Sequence, residues 1–278
     1  MSQMASAVKG QLIAKGRTAE VYAWQDNQVL KLFYDWCPAD WIQREVEIGR
    51  RLSTTSLPTP KLLDGVSLDG RQGIIYQRVE GRSMLRLLST KPWLLSRLAR
   101  QFAELHSDIH THSGASFVPL RSSLEASITQ TDSLSTQIKR EVLNLLGHFP
   151  DGTALCHFDF HPDQVMITPR GPMILDWMTA CQGDPVADVA RTSVLVTFGQ
   201  APYMNRFMRN LINLVRGAFY RSYLSRYLEL HPQVTQGEVE AWMIPVAAAR
   251  LKEDIPGEQQ PILEFIRRSL QEQKAEVS

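Results

Sequence analysis

Cysteine is scarce: Cys37, Cys156 and Cys181 are the only 3 among 278 residues, odd in number and widely spaced. No Cys-x-x-Cys pair occurs, so neither a zinc site built on cysteine nor a disulfide framework has support, and reduced thiols in a cytoplasm fit the pattern. An excess of either charge is missing too. The 30 basic residues face 29 acidic ones, the formal charge is +1, and the two signs interleave along the chain. Without a basic stripe or an acidic face, nucleic acid and other charged polymers are not expected partners. No apolar run approaches the roughly 18 residues of a membrane span. The opening MSQMASAVKG lacks the apolar stretch of a signal peptide. These absences describe a soluble, cytoplasmic protein with no membrane partner.

What is present is enough apolar residue, 44% of the chain, to build two packed lobes or one large domain. The first 80 residues read mostly as strands. Leu12-Ile13-Ala14 leads into a polar turn around Gly16-Arg17-Thr18, and Val21 to Trp24 leads out of it. A turn at Asp26-Asn27 passes the chain into Val29 to Phe33, completing an antiparallel meander. Pro38 opens a helix whose apolar positions, Trp41, Ile42, Val46 and Ile48, fall near one face through Leu52. Two more strands, Leu62 to Val66 and Gly73 to Tyr76, flank a turn at Asp69-Gly70. From Gly81 the character changes. Helical periods run from Leu85 to about His110 and from Ser133 to His148. A β-rich island follows, with strands at 154–156, 165–167 and 173–175. Beyond Pro185 the pattern is helical near 186–198, 202–229 and 237–253, with a last helix from Pro261 to Glu272. The expected architecture is α+β: a small antiparallel-sheet lobe over residues 1–80, and a larger helical lobe over 81–278 that contains the island.

The stretch HFDFHPDQV at 157–165, followed by Ile174-Leu175-Asp176-Trp177, carries the chemistry. Phosphoryl transfer needs a carboxylate to orient or deprotonate the attacking hydroxyl, and oxygen ligands for magnesium on the nucleotide phosphates. Asp159 is followed five residues later by the amide of Gln164, the spacing at which a loop presents a base and returns a metal ligand. A hairpin over 165–175 would then deliver a second carboxylate, Asp176. Magnesium is commonly held by one or two carboxylates plus phosphates and water, so this set suffices.

These residues resemble the aminoglycoside phosphotransferase and choline kinase family, whose pattern runs roughly His-Gly-Asp-x-His-x-x-Asn, Ile-Asp-Trp/Phe, Gly-Asp-Pro-x-x-Asp-x-Ala. HFDFHPDQV, ILDW and GDPVADVAR match it in order, and KGRTAEVYAW, VLKLF, IIYQRVEGRSM and FAELH match its upstream landmarks. The resemblance covers about residues 10 to 200 and implies a bilobal, protein-kinase-like fold using ATP or GTP with Mg2+. It makes Asp159 the catalytic base, and Asp176 and Gln164 the metal ligands. Lys31 would contact the nucleotide phosphates, held by Glu45 or, second, Glu47. The loop Gly16, Arg17, Thr18 and Ala19 would cover the phosphates, and backbone near Gln77 to Val79 would hold the base. Asp184 and Asp188 would brace the catalytic loop. The chain departs from the family in having Gln164 for asparagine and Gly16 as the single glycine of its phosphate loop.

The acceptor implied is a small-molecule hydroxyl, on an antibiotic, an amino alcohol or a sugar-like metabolite. Asp163, Glu253, Asp254 and Glu258 are acidic candidates for an acceptor pocket, although Arg250, Lys252, Arg267 and Arg268 lie near in sequence. A pseudokinase that binds nucleotide or a partner without transfer is the alternative, motivated by Gln164 and the reduced glycine loop. A protein kinase is disfavoured because Asp-Phe-Gly and Ala-Pro-Glu are absent. His157 and His161 read as residues that hydrogen-bond the loop backbone, His106 as a packing residue, and Cys156 as a buried hydrophobe.

Overall fold

The computed structural model describes residues 9–199 and 206–277. Residues 1–8, where the signal-peptide reading rests, and residues 202–205 of the expected helix over 202–229 lie outside these described residues. Among the described residues no helix is long and apolar enough to cross a membrane. The chain divides into two compact units. One comprises the described residues up to Ser83 together with Val165–Met178; the other comprises Met84–Gln164 and the described residues from Thr179 onward.

The first unit is built on an antiparallel sheet of five strands, β1 (Leu12–Lys15), β2 (Ala19–Trp24), β3 (Gln28–Phe33), β4 (Leu62–Leu68) and β5 (Arg71–Gln77), in the order β1-β2-β3-β5-β4. The β4–β5 turn uses Asp69 and Gly70, at φ 53° and 77°. Two successive left-handed residues give the tight hairpin turn whose twist suits the sheet. Strand periodicity splits β3 between two faces. Leu30 and Leu32 pack with Trp24 on one side, while Phe33 packs on the other with Ala19, Ile74 and Ile42. Helix α1 (Ala39–Leu52) covers that second face with Ile42, Glu45, Ile48 and Leu52. Lys31 alternates to the same side as Phe33, and so faces the helix.

Two-residue strand β6 (Arg82–Ser83) pairs with β8 (Val165–Thr168), which pairs with β9 (Gly171–Ile174). This places the 165–178 hairpin with the sheet-bearing residues, whereas the sequence reading put it inside the helical lobe of 81–278. The cause is pairing at long range: β6 supplies an edge for β8, and the Ile174 amide donates to Pro58 O at 2.7 Å. Local pattern does not reveal such partners.

The second unit begins with α2 (Met84–Thr90). A 3-10 turn at Pro92–Leu94 separates it from α3 (Leu95–His110), so the helical stretch read as continuous from Leu85 is broken. Proline at the start of that turn has no N–H with which to continue the preceding helix. α4 (Leu120–Gln130), not anticipated, buries Leu120, Leu124 and Ile128 along a narrow stripe among serines and threonines. α5 (Thr136–Gly147), β7 (Ala154–Cys156) and β10 (Cys181–Gly183) follow, the last two paired antiparallel. Asp184 caps α6 (Pro185–Phe198), its carboxylate accepting from the Val186 amide at 2.8 Å, with Pro185 at the first helical position. α7 (Arg206–Leu230) packs on α3, and α8 (Gln236–Arg250) runs among α4, α5, α6 and α9 (Gln259–Val277). α8 is buried nearly throughout from Trp242 to Ala249 and starts with a reciprocal Thr235–Glu238 capping box.

One backbone approach is tight enough to test. Gly152 sits at φ 68°, and a β-carbon there would lie 2.4 Å from the carbonyl of Gly183. Gly152→Ala is expected to cost about 2–3 kcal/mol in urea denaturation, since backbone strain and overpacking add. Gly147→Ala, in open space at the end of α5, is expected to stabilise by about 0.5–1 kcal/mol.

Candidate active site

Within the first unit three charged side chains converge. Lys31 Nζ donates to both oxygens of Glu45, at 2.7 and 2.9 Å, and to Asp176 Oδ1 at 3.3 Å. The Tyr76 hydroxyl also donates to Glu45, at 2.9 Å. Glu45 is reached because α1 puts it on the same face as Ile42 and Ile48; Glu47 points outward, with Arg51 4.0 Å away. Burial opposes the charge on Lys31, but Asp176 and Glu45 outweigh it and raise its pKa. Burial pushes the Glu45 carboxyl up against the pull of Lys31. Asp176 ends the β9 hairpin in a left-handed conformation, φ 53°, and its side chain is 44% exposed. The lysine therefore spans a buried carboxylate and a half-open one.

The loop between β1 and β2 is short. The Gly16 amide donates to Ala19 O at 2.8 Å, Arg17 is exposed, and Thr18 O accepts from the Tyr34 amide at 3.0 Å. Ala19, the first residue of β2, is buried in the cluster with Phe33 and Ile42. Gln77 closes β5, its amide donating to Lys61 O at 2.9 Å, and Val79 follows half-buried.

Within the second unit the loop after β7 carries Asp159, with 27% of its side chain exposed. Phe158, just before it, is left-handed at φ 62°. A bulky residue there stores strain that surrounding contacts must hold. α6 supplies them from residues three and four apart, hence on one face. Asp188 accepts from the His157 amide at 2.7 Å and the Phe158 amide at 2.9 Å. Arg191 Nε donates to Phe158 O at 3.2 Å, and Thr192 Oγ1 to Phe160 O at 2.8 Å. Thr179 adds a bond to His157 O at 2.8 Å. His157 and His161 accept through Nδ1 from the Asp159 and Asp163 amides, each at 3.3 Å. Asp159 has two cations beside it, Arg191 at 3.9 Å and His161 Nε2, charged when protonated, at 3.7 Å.

Gln164 is half-buried at the end of this loop and Asp163 is exposed. Glu253 pairs with Arg191 at 2.6 Å and with Arg250; burial raises its pKa, but the two guanidinium groups hold it below the ordinary value. Glu258, an acidic candidate for an acceptor pocket, is buried with Arg250 2.9 Å away. Asp254 is exposed at the turn into α9 and accepts from Gln259. Arg191, Thr192 and Tyr76 were missed in the sequence. For the first two a signal existed: polar residues at i, i+3, i+4 and i+5 in a stretch otherwise apolar, VADVARTSVLV, mark a buried helix with polar work to do.

The profile of the phosphotransferase enzyme family matches residues 9–229. The chain belongs to that family of phosphotransferases. Comparison with curated proteins finds no match. Among solved structures, a streptomycin–ATP–APH(2")-IIa ternary complex aligns with a TM-score of 0.60 at 16% identity, over 97% of this chain and 93% of that one. Amicoumacin kinase hAmiN with AMP-PNP, Ca2+ and Ami gives 0.56 at 13%, over 97% and 91%. The macrolide 2'-phosphotransferase MphH from Brachybacterium faecium gives 0.55 at 16%, over 92% and 91%. At these identities the likeness establishes the fold: an antiparallel-sheet N-terminal region and a helical C-terminal region of protein-kinase type.

Removing one partner of a buried ion pair leaves the other uncompensated. Glu45→Ala is expected to destabilise the chain by about 3 kcal/mol in chemical denaturation, while Glu47→Ala changes stability by less than about 0.5 kcal/mol.

Proposed function

We propose that this phosphotransferase moves the γ-phosphoryl group of ATP or GTP to a hydroxyl of a small molecule. The observation that carries this reading is Lys31 held between Glu45 and Asp176. A lysine kept charged by a buried glutamate is suited to nucleotide phosphates, and the carboxylate beside it to their metal. Residues 1–80 then act as the nucleotide lobe and 81–278 as the acceptor lobe, with the 165–178 hairpin serving the former. Gly16, Arg17, Thr18 and Ala19 cover the phosphates through backbone amides, and Gln77 and Val79 present backbone groups to the nucleobase.

Asp159 accepts the hydroxyl proton. Its loop is held by α6, so the carboxylate stands at a fixed place, and the Arg191–Glu253 pair keeps a balanced charge nearby. Asp176 and Gln164 are the metal ligands; both offer oxygen donors and both side chains reach solvent, which suits a hard cation such as Mg2+. When bound, magnesium supplies neutralisation of the charge on the phosphate oxygens. An antibiotic, an amino alcohol or a sugar-like metabolite is the acceptor class, with Asp163, Glu253 and Asp254 the acidic groups left to meet it.

A screen of hydroxylated metabolites and antibiotics for acceptor-dependent ADP or GDP release tests the reading. The active acceptor should lose turnover by about 10²–10⁴-fold in Asp159→Asn, with nucleotide binding retained. Gln164→Asn should keep or improve magnesium-dependent rate, whereas unchanged magnesium dependence in Gln164→Ala would remove Gln164 from the ligand set. Nucleotide binding with no release under any acceptor would favour a pseudokinase.

A further inference from the structure

Two histidines on α3, His106 and His110, are one helical turn apart and share a face. Both meet Asp188 of α6: His106 Nε2 and His110 Nε2 each lie 3.2 Å from the same oxygen, Oδ2. That oxygen already accepts from the His157 amide, while Oδ1 accepts from the Phe158 amide. His110 makes its hydrogen bond to Oδ2. His106 Nε2, at the same distance, lacks the alignment of one, and it is the only buried side-chain nitrogen or oxygen among the described residues without a hydrogen-bond partner. The other ring nitrogens are anchored. His106 Nδ1 lies 2.7 Å from the Tyr223 hydroxyl, and His110 Nδ1 lies 2.8 Å from that of Tyr227. All three side chains are at most 1% exposed, and one ligand atom from each falls within 4.8 Å of the others.

We propose that His106, His110 and Asp188 form a buried site for a divalent transition metal, zinc in the first instance. Zinc takes imidazole nitrogen and carboxylate oxygen at about 2.0–2.1 Å in a tetrahedron, whose edges are then about 3.3 Å. The two nitrogen–oxygen separations are close to that edge, and the two nitrogens lie within 4.8 Å of each other. An ion would also satisfy the orphaned His106 nitrogen, which otherwise faces a crowded carboxylate oxygen with no bond to show for it. On binding, each Nε2 would give its lone pair to the ion in place of a proton, leaving the proton on Nδ1 to be donated to the tyrosine hydroxyl 2.7 or 2.8 Å away, as outer partners of metal-bound histidines accept it. The donor set excludes magnesium, which prefers oxygen ligands alone. Because Asp188 also holds the His157 and Phe158 amides, the ion ties α3, α6 and the Asp159 loop together. Its role is structural, and it does not depend on which acceptor the enzyme uses.

The test is metal analysis of the full chain purified without a histidine tag, with cobalt as spectroscopic probe. The expected result is about one zinc per chain, and for the cobalt form visible bands that report nitrogen and oxygen ligation. His110→Gln keeps side-chain polarity but loses the ligand set. It should lose both metal and bands while circular dichroism shows it folded, and Asp176→Asn should lose neither. Zinc should raise the melting temperature of the parent chain and not that of His110→Gln. Less than about a tenth of a zinc per folded parent chain after zinc supplementation, with no cobalt bands, overturns the proposal. So does equal metal content in His110→Gln.

Discussion

A single buried carboxylate organises the helical unit. Asp188 is fully buried, and removing a charge from water is costly unless hydrogen bonds and counter-charges replace the lost hydration. The replacements come from two backbone amides, His157 and Phe158, and from two histidines of α3. Burial opposes its ionisation, yet the histidines outweigh burial and the carboxyl lies well below the ordinary range. Each partner is therefore fixed by the needs of one oxygen pair. The loop that carries Asp159 inherits this rigidity.

The left-handed Phe158 shows why such an anchor is needed. A free loop would relax that residue toward extended or helical backbone, and the side chain that follows would swing away. Asp188, Arg191 and Thr192 occupy one side of α6 and hold the loop by its amides and carbonyls. Side chains of the loop stay available as a result. The α6 frame is in turn buried between α7 and α8, so the helix acts as a template for the loop beside it.

The sheet unit follows a parallel logic on a different element. Strand alternation sends Lys31 to the α1 side, and helical spacing sends Glu45 to meet it. The hairpin 165–178 joins this unit through β6, bringing Asp176 to the lysine across 145 positions of sequence. The same fold is found in solved structures at 13–17% identity.

Much of this was legible along the chain. Alternating apolar residues marked the strands, Asp69-Gly70 marked a turn between two of them, the chain beyond Pro185 read as helical, and the motifs in order marked the phosphotransferase family. All are short-range signals, set by steric preference and repeat length within a few residues. Harder to see were α4, whose apolar stripe is thin, and β6 and β10, too short to carry a period. Not visible at all were the home of the 165–178 hairpin, the burial of Glu258 against Arg250, and the meeting of His106 and His110 with Asp188. Those outcomes depend on which distant groups compete for the same buried space, and a carboxylate or imidazole acquires its role only when desolvation forces it to find a partner.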